Sequence, residues 1–328
     1  MPNLIAALGI LFASVVTLVI YRTDVNSLAD RSTEQNAQAL ASIHNVSLKP
    51  VIQGQVASPT IEKRFAFTPL SEDQGLEIPE LGAYAYQVVD LETRQILASK
   101  NIFEQRQLAS VTKIMTAMVV LDEYEWGSGE FIPMSESAFA TYGGNSIRVG
   151  EAFPVEDYLR ALLISSSNDS ANLLAERFGD GNLDRFIWKM NQKARRIGLT
   201  QTVFANPSGL DDPAQSHFST TEEVAEMGIY AYKNYPLIYE ILGEESVIIT
   251  SSEGRPVEVR NTNRILSDEY VLTGKTGMTE AAGETFFVVI EVNGRKVAVT
   301  LMGSDFGGGR FADTAKVRDF VLQKFTVE

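Results

Sequence analysis

The chain has 328 residues, with 42 Asp and Glu against 28 Lys and Arg and a formal net charge of −14. That negative excess disfavours nucleic acid as a partner, and 45% hydrophobic with 21% charged residues excludes wholesale disorder. No cysteine and only two histidines leave no disulfide scaffold, thiol nucleophile or thiolate zinc site, so no metal or cofactor is expected and the chemistry falls to hydroxyls, amines, amides and carboxylates.

The first 21 residues carry no charged side chain, and Leu4 to Ile20 is an apolar run broken only by Gly9, Ser14 and Thr17. As a helix it would reach ~26 Å, near the lower limit for spanning a bilayer. A cleaved signal peptide is the alternative, with Ser27-Leu28-Ala29 as a small-x-small site. No Lys or Arg precedes the run, however, and that site lies several residues beyond it, which favours a retained single-pass anchor over 1–22. Either way the chain meets a membrane.

From Thr23 to about Pro79 the chain is polar, with prolines at 50, 59, 69 and 79 and no sustained periodicity. It reads as a tether over 23–79, with an r.m.s. span on the order of 40 Å; for Val51 to Val56 the alternative is packing on the domain. The globular part is expected over 80–328. Alternation from Tyr84 to Val88, a break at Asp90 to Arg94 and resumption over Gln95 to Ala98 predict a β-hairpin. Ser110 to Glu123 is apolar around most of its circumference, which predicts a buried helix. Further helices are predicted over Val155 to Ile164 and Ser170 to Phe178. Thr285 to Val292 and Lys296 to Met302 read as strands joined at Asn293-Gly294, a two-residue hairpin signal, and a helix over Ala312 to Lys324 follows. Strands at both ends with helices between them predict an α+β domain whose sheet unites the terminal segments.

Three short strings could carry chemistry. Ser110-Val111-Thr112-Lys113 sits where the buried helix begins, so Ser110 and Lys113 fall one turn apart on one face. A lysine there takes the serine proton only if it is neutral, which burial or a second cation would favour. The helix N-terminus beside the hydroxyl favours a developing anion. Ser166-Ser167-Asn168 follows the second helix, on what reads as a loop, where a hydroxyl and an amide could relay a proton and hold a carbonyl. Ser170-Ala171-Asn172 has the same spacing, but a helix starting at Ser170 with Leu173 and Leu174 buried points Asn172 elsewhere. Lys275-Thr276-Gly277 precedes the final strands; a P-loop reading fails because Glu269 occupies a required glycine position. On a strand edge it offers a cation, a hydroxyl and bare backbone to an extended substrate.

In this order and spacing, the three strings resemble the serine penicillin-recognising enzymes. The longer strings Leu108 to Thr116, Ser166 to Asp169, Asn206-Pro207-Ser208-Gly209-Leu210 and Gly274 to Thr279 are similar to the low-molecular-weight D-Ala-D-Ala carboxypeptidases, and the likeness runs from about Ala83 to the C-terminus. The resemblance implies a β-lactamase/DD-peptidase-like fold, an antiparallel sheet of N- and C-terminal segments flanked by helices, with a mostly helical subdomain. It implies Ser110 as acyl-forming nucleophile, Lys113 as its base, and Ser166, Asn168 and Lys275 as the proton and hydrogen-bond network. The backbone N–H groups of Ser110 and Met278 would form the oxyanion hole. Thr276, Gly277 and Met278 would line the substrate, with Arg310 joining Thr276 on its terminal carboxylate, for which an arginine fork is suited.

The expected partners are peptidoglycan stem peptides and β-lactams, with the domain outside the cytoplasm at the cell membrane. A DD-endopeptidase with the same apparatus and a catalytically silent wall-binding module are the alternatives. A class A β-lactamase would carry a glutamate some 35 residues after the second string, by the same likeness, and Arg196 to Leu210 holds no Asp or Glu. A Ser-His-Asp hydrolase is poorly supported, since His44 falls in the tether and His217 is read as structural.

Overall fold

The computed structural model describes residues 67–69, 77–139, 147–212 and 217–326. The expected anchor over 1–22, most of the expected tether including Val51 to Val56, and His44 lie outside the described residues. Among the described residues no helix is long and apolar enough to cross a membrane.

In chain order the elements begin with strands β1 (Thr68–Pro69), β2 (Ala85–Asp90), β3 (Gln95–Lys100) and β4 (Gln105–Arg106), then a 3₁₀ turn over Ala109–Thr112 that runs into helix α1 (Lys113–Leu121). Strands β5 (Phe131–Pro133) and β6 (Ala152–Pro154) precede helices α2 (Val155–Leu163), α3 (Asn168–Phe178) and α4 (Leu183–Arg196). Strand β7 (Ser219–Thr220), helices α5 (Thr221–Asn234) and α6 (Pro236–Leu242), and strands β8 (Ser246–Thr250) and β9 (Pro256–Arg260) follow. The last third holds β10 (Val271–Thr279), β11 (Gly283–Val292), β12 (Arg295–Ser304) and helix α7 (Gly309–Thr326).

Six of the strands form one sheet in the order β1-β3-β2-β12-β11-β10. All neighbours are antiparallel except β1, which runs parallel to β3 and brings Thr68 beside Gln95 from within the stretch read as a tether. The β2–β12 ladder is the join between the two ends of the chain, and it leaves β10 as an edge strand. The hairpin between β11 and β12 closes at Asn293 and Gly294 with φ of 52° and 77°, the left-handed pair that a type I′ turn requires.

The central strands are covered on both faces, so they read as continuous apolar runs rather than as alternation. Phe286, Val288, Val299 and Leu301 pack under Val317, Phe320 and Val321 of α7. Phe287, Val289, Ala298 and Met302 belong to the larger core built with α1, α2, α3 and α5. Each such side chain taken out of water contributes roughly 1.5–3 kcal/mol. α1 is buried from Lys113 through Val120, in keeping with its unbroken apolar circumference.

Two local expectations are corrected. Ser110 lies in the 3₁₀ turn, and the α-helix begins only at Lys113. Asn168 is not on a loop but opens α3, because Ser167 caps that helix by accepting the N–H of Ser170 at 3.1 Å. Asn172 does point away from the motifs, donating to the Ala138 carbonyl at 3.2 Å.

Candidate active site

Every pair among the three strings meets directly. Lys113 Nζ donates to Ser110 Oγ at 2.9 Å and to Asn168 Oδ1 at 2.8 Å. Lys275 Nζ donates to Ser166 Oγ at 2.9 Å and to the Thr276 carbonyl at 2.8 Å. The first and third strings touch through Gly277, where a Cβ would lie 2.8 Å from Ser110 N and 2.3 Å from Thr285 Oγ1. Only a residue without a side chain lets the edge strand lie so close to the serine turn.

The backbone is strained next to Ser110 and at Ser166. Ala109, just before Ser110, has φ of 49°, and Ser166 has φ of 61°, the left-handed region that costs a non-glycine residue about 1–2 kcal/mol. Surrounding contacts hold Ala109 there. Gly209, itself at φ of 81°, presses on its carbonyl so closely that a Cβ would sit 1.9 Å from the oxygen, and Thr285 Oγ1 donates to the Leu108 carbonyl at 3.0 Å.

Both lysines are fully buried. Loss of hydration pushes the Lys113 amine well below its ordinary value, and the charge of Lys275 pushes it further the same way. Lys275 is lowered to about 7, again by burial first and then by the charge of Arg310. A neutral amine 2.9 Å from a hydroxyl can accept its proton, whereas an ammonium there cannot.

Residues 72–305 match the D-alanyl-D-alanine carboxypeptidase family, peptidase S11. The chain belongs to this family. It is 31% identical over 225 residues to the D-alanyl-D-alanine carboxypeptidase DacB2 of Mycobacterium tuberculosis, covering 69% of this chain and 76% of that one. It is 29% identical over 280 residues to the D-alanyl-D-alanine endopeptidase of Escherichia coli, covering 84% and 86%. The solved structure of penicillin-binding protein D2 from Listeria monocytogenes in its cefotaxime-bound form superposes with a TM-score of 0.65 at 27% identity, over 74% of this chain and 98% of that one. The penicillin-binding, DD-peptidase type of fold is thereby shown for this family member.

In this D-alanyl-D-alanine carboxypeptidase family member, the edge strand β10 and the start of α7 lie beside the first two strings. Thr276 shares a hydrogen bond of 2.6 Å with Thr262. Met278 is 56% exposed on the outer side of the same strand. Arg310 Nη1 donates to the Gly277 carbonyl at 2.6 Å, so the arginine does reach the third string. Burial lowers its ordinary value, the neighbouring Glu284 opposes that, and the nearby Arg264 adds to it.

Several participants escaped the reading of the sequence. The Ser208 carbonyl is a third acceptor for Lys113, at 2.7 Å. Asn206 Oδ1 holds that turn by accepting the N–H groups of Ser208 and Gly209, and Thr116 Oγ1 donates to the Pro207 carbonyl at 2.6 Å. The string Asn206 to Leu210 marked a resemblance, but nothing in its residue types says that a carbonyl would aim at a lysine. Thr262 and Glu284 lacked any motif. His217 is structural: its Nδ1 accepts the Ala205 N–H at 3.1 Å, which leaves Nε2 to donate to Thr112 Oγ1 at 2.8 Å. Among the described residues no His, Cys, Asp and Glu group of three or more could hold a metal.

Proposed function

We propose that the chain is a serine-type D-Ala-D-Ala carboxypeptidase that removes the terminal D-alanine of peptidoglycan stem peptides through an acyl-enzyme on Ser110. The observation that carries this is the buried, deprotonation-prone Lys113 amine 2.9 Å from the Ser110 hydroxyl. Ser110 Oγ attacks the carbonyl carbon of the penultimate D-alanine as its proton passes to Lys113. The oxyanion is met by the N–H groups of Ser110 and Met278, and the departing amine takes a proton from Ser166, beside Lys275, which is replaced by the one held on Lys113 and leaves that lysine neutral. Water then attacks the ester as Lys113 takes its proton, and that proton passes to Ser110 Oγ as the acid departs, which restores both groups. Asn168 orients Lys113 and the substrate amide, while Thr276 and Arg310 meet the terminal carboxylate beside the bare backbone of Gly277.

A DD-endopeptidase is the second reading, favoured by the E. coli relative of that name, whose match covers more of this chain than that of DacB2. β-Lactams would acylate the same serine, as suits a relative solved with cefotaxime bound. We further place the domain outside the cytoplasm, held to the membrane by an anchor over 1–22 and a tether over 23–79; the apolar run Leu4 to Ile20 supports this. Labelling with a fluorescent penicillin tests the mechanism: a covalent adduct on the wild type that is lost in Ser110→Ala is expected. No adduct, or one undiminished in the variant, overturns it. Mass spectrometry of digested muropeptides separates free D-alanine release from crosslink cleavage, and fractionation of cells expressing the full chain tests the anchor.

A further inference from the structure

Glu284 is the second residue of β11, opposite Met278 of β10 and Ser304 of β12, and it is only 3% exposed. A carboxylate buried to that degree is costly unless donors surround it. They do here. One oxygen accepts the N–H groups of Gly307 at 3.1 Å and Gly308 at 2.9 Å. The other accepts the N–H of Arg310 at 3.3 Å and lies 3.6 Å from Nε of its guanidinium. These amides lead into the first turn of α7, where the positive end of the helix favours an anion. The Nε edge of Arg310 therefore faces Glu284 as an ion pair, longer than a hydrogen bond, while Nη1 reaches the Gly277 carbonyl at 2.6 Å. The side chain is 12% exposed and lies between the Glu284 carboxylate and the Gly277 carbonyl, with little solvent around it.

Given Arg310 as the group that meets the substrate carboxylate in the proposed reaction, we propose that Glu284 is a positioning residue that sets how strongly the site prefers a free C-terminal carboxylate to a blocked end. It contacts neither the reacting atoms nor the substrate. It does so by anchoring the glycine turn 307–309 and steadying the guanidinium against β10, so that a carboxylate finds the remaining Nη donors in place and loses little freedom on binding.

The test compares a diacyl-D-Ala-D-Ala peptide with its C-terminal carboxamide on the full chain, in wild type and Glu284→Gln. The expected result is a fall of about tenfold in kcat/KM on the free acid, carried by KM with kcat changing far less, and a clearly smaller loss on the carboxamide. In the Arg310→Ala background the same Glu284→Gln change should then move the acid-to-amide ratio by less than twofold, because the group it acts through is gone. Equal losses on both substrates, an unmoved ratio, or an undiminished effect without Arg310 each overturn the proposal. Penicillin labelling and a melting curve on each variant show that Ser110 and the fold survive; if Glu284→Gln does not fold, Glu284→Asp, which keeps the charge and withdraws it by one methylene, is read in the same way. A wild type that is acylated by penicillin and cleaves the peptide but shows no ratio change refutes Glu284 alone. One that neither labels nor cleaves removes the proposed function, and this role with it.

Discussion

Asn168→Asp places a carboxylate where a neutral amide oxygen now sits 2.8 Å from Lys113 Nζ. At an effective dielectric of about 20, opposite charges at that distance attract by roughly 6 kcal/mol, a ceiling of about 4 pH units on the Lys113 titration. Position 168 is only 5% exposed, so the new carboxylate is itself reluctant to ionise and the pair titrates as a unit. The net rise expected for the amine is about 1–3 units. Acylation needs Lys113 neutral, so the acid limb of the rate should move upward by that amount. At a fixed pH on the limb, each unit is about a tenfold loss in rate. The assay is the rate constant for labelling by a fluorescent penicillin, measured across about pH 5 to 10. Asn168→Ala is the control: it removes an acceptor from the ammonium form and should not raise the limb. A limb in Asn168→Asp that stays in place or moves down while the adduct still forms would refute the assignment of Lys113 as base.

Gly277→Ala should separate the edge strand from the serine turn, since a Cβ would lie 2.3 Å from Thr285 Oγ1 and 2.8 Å from Ser110 N. A retreat of roughly 1 Å at a reacting centre costs on the order of 10²-fold in rate, and overpacking costs about 1–3 kcal/mol of stability; penicillin labelling and thermal melting report both, and labelling within twofold of wild type would count against the geometry. His217, pushed by burial to about 4, predicts a pH dependence of stability. The unfolded chain binds a proton as pH falls through its ordinary value of about 6.5 while the folded chain does not, so about 3 kcal/mol present above that value is lost on going down to pH 4. Urea midpoints from about pH 7 to 4 should show this slope in wild type and a flatter one in His217→Gln.

The apolar runs made the sheet, the buried helix α1 and the Asn-Gly hairpin legible, because a strand or helix covered on both sides carries its burial in its composition. Helices α4, α5 and α6 bury only part of their circumference, so their apolar residues are interleaved with polar ones and carry a weaker signal than the unbroken run of α1. The nine residues assigned to the site could be found because side-chain chemistry needs particular residue types, and the structure brings Ser110, Lys113, Ser166, Asn168, Lys275, Gly277 and Arg310 into direct contact with one another or with the same strand. What stayed hidden acts through backbone. The Ser208 carbonyl on Lys113, the left-handed Ala109 and the glycine amides on Glu284 are available to any sequence and are set only by where the chain goes. The start of α3 at Asn168 is hidden for a related reason: serine serves turns and helix caps alike, and Ser167 is a cap.

The β2–β12 ladder ties a strand that leaves the ribosome early to one that leaves it near the end, and the strand carrying Lys275 reaches the sheet only through β11. A chain lacking its last third has no Gly277 to lie against the serine turn. Hydrolytic competence therefore arrives all at once and late, when the last hairpin closes, and such distant pairing is intrinsically slow.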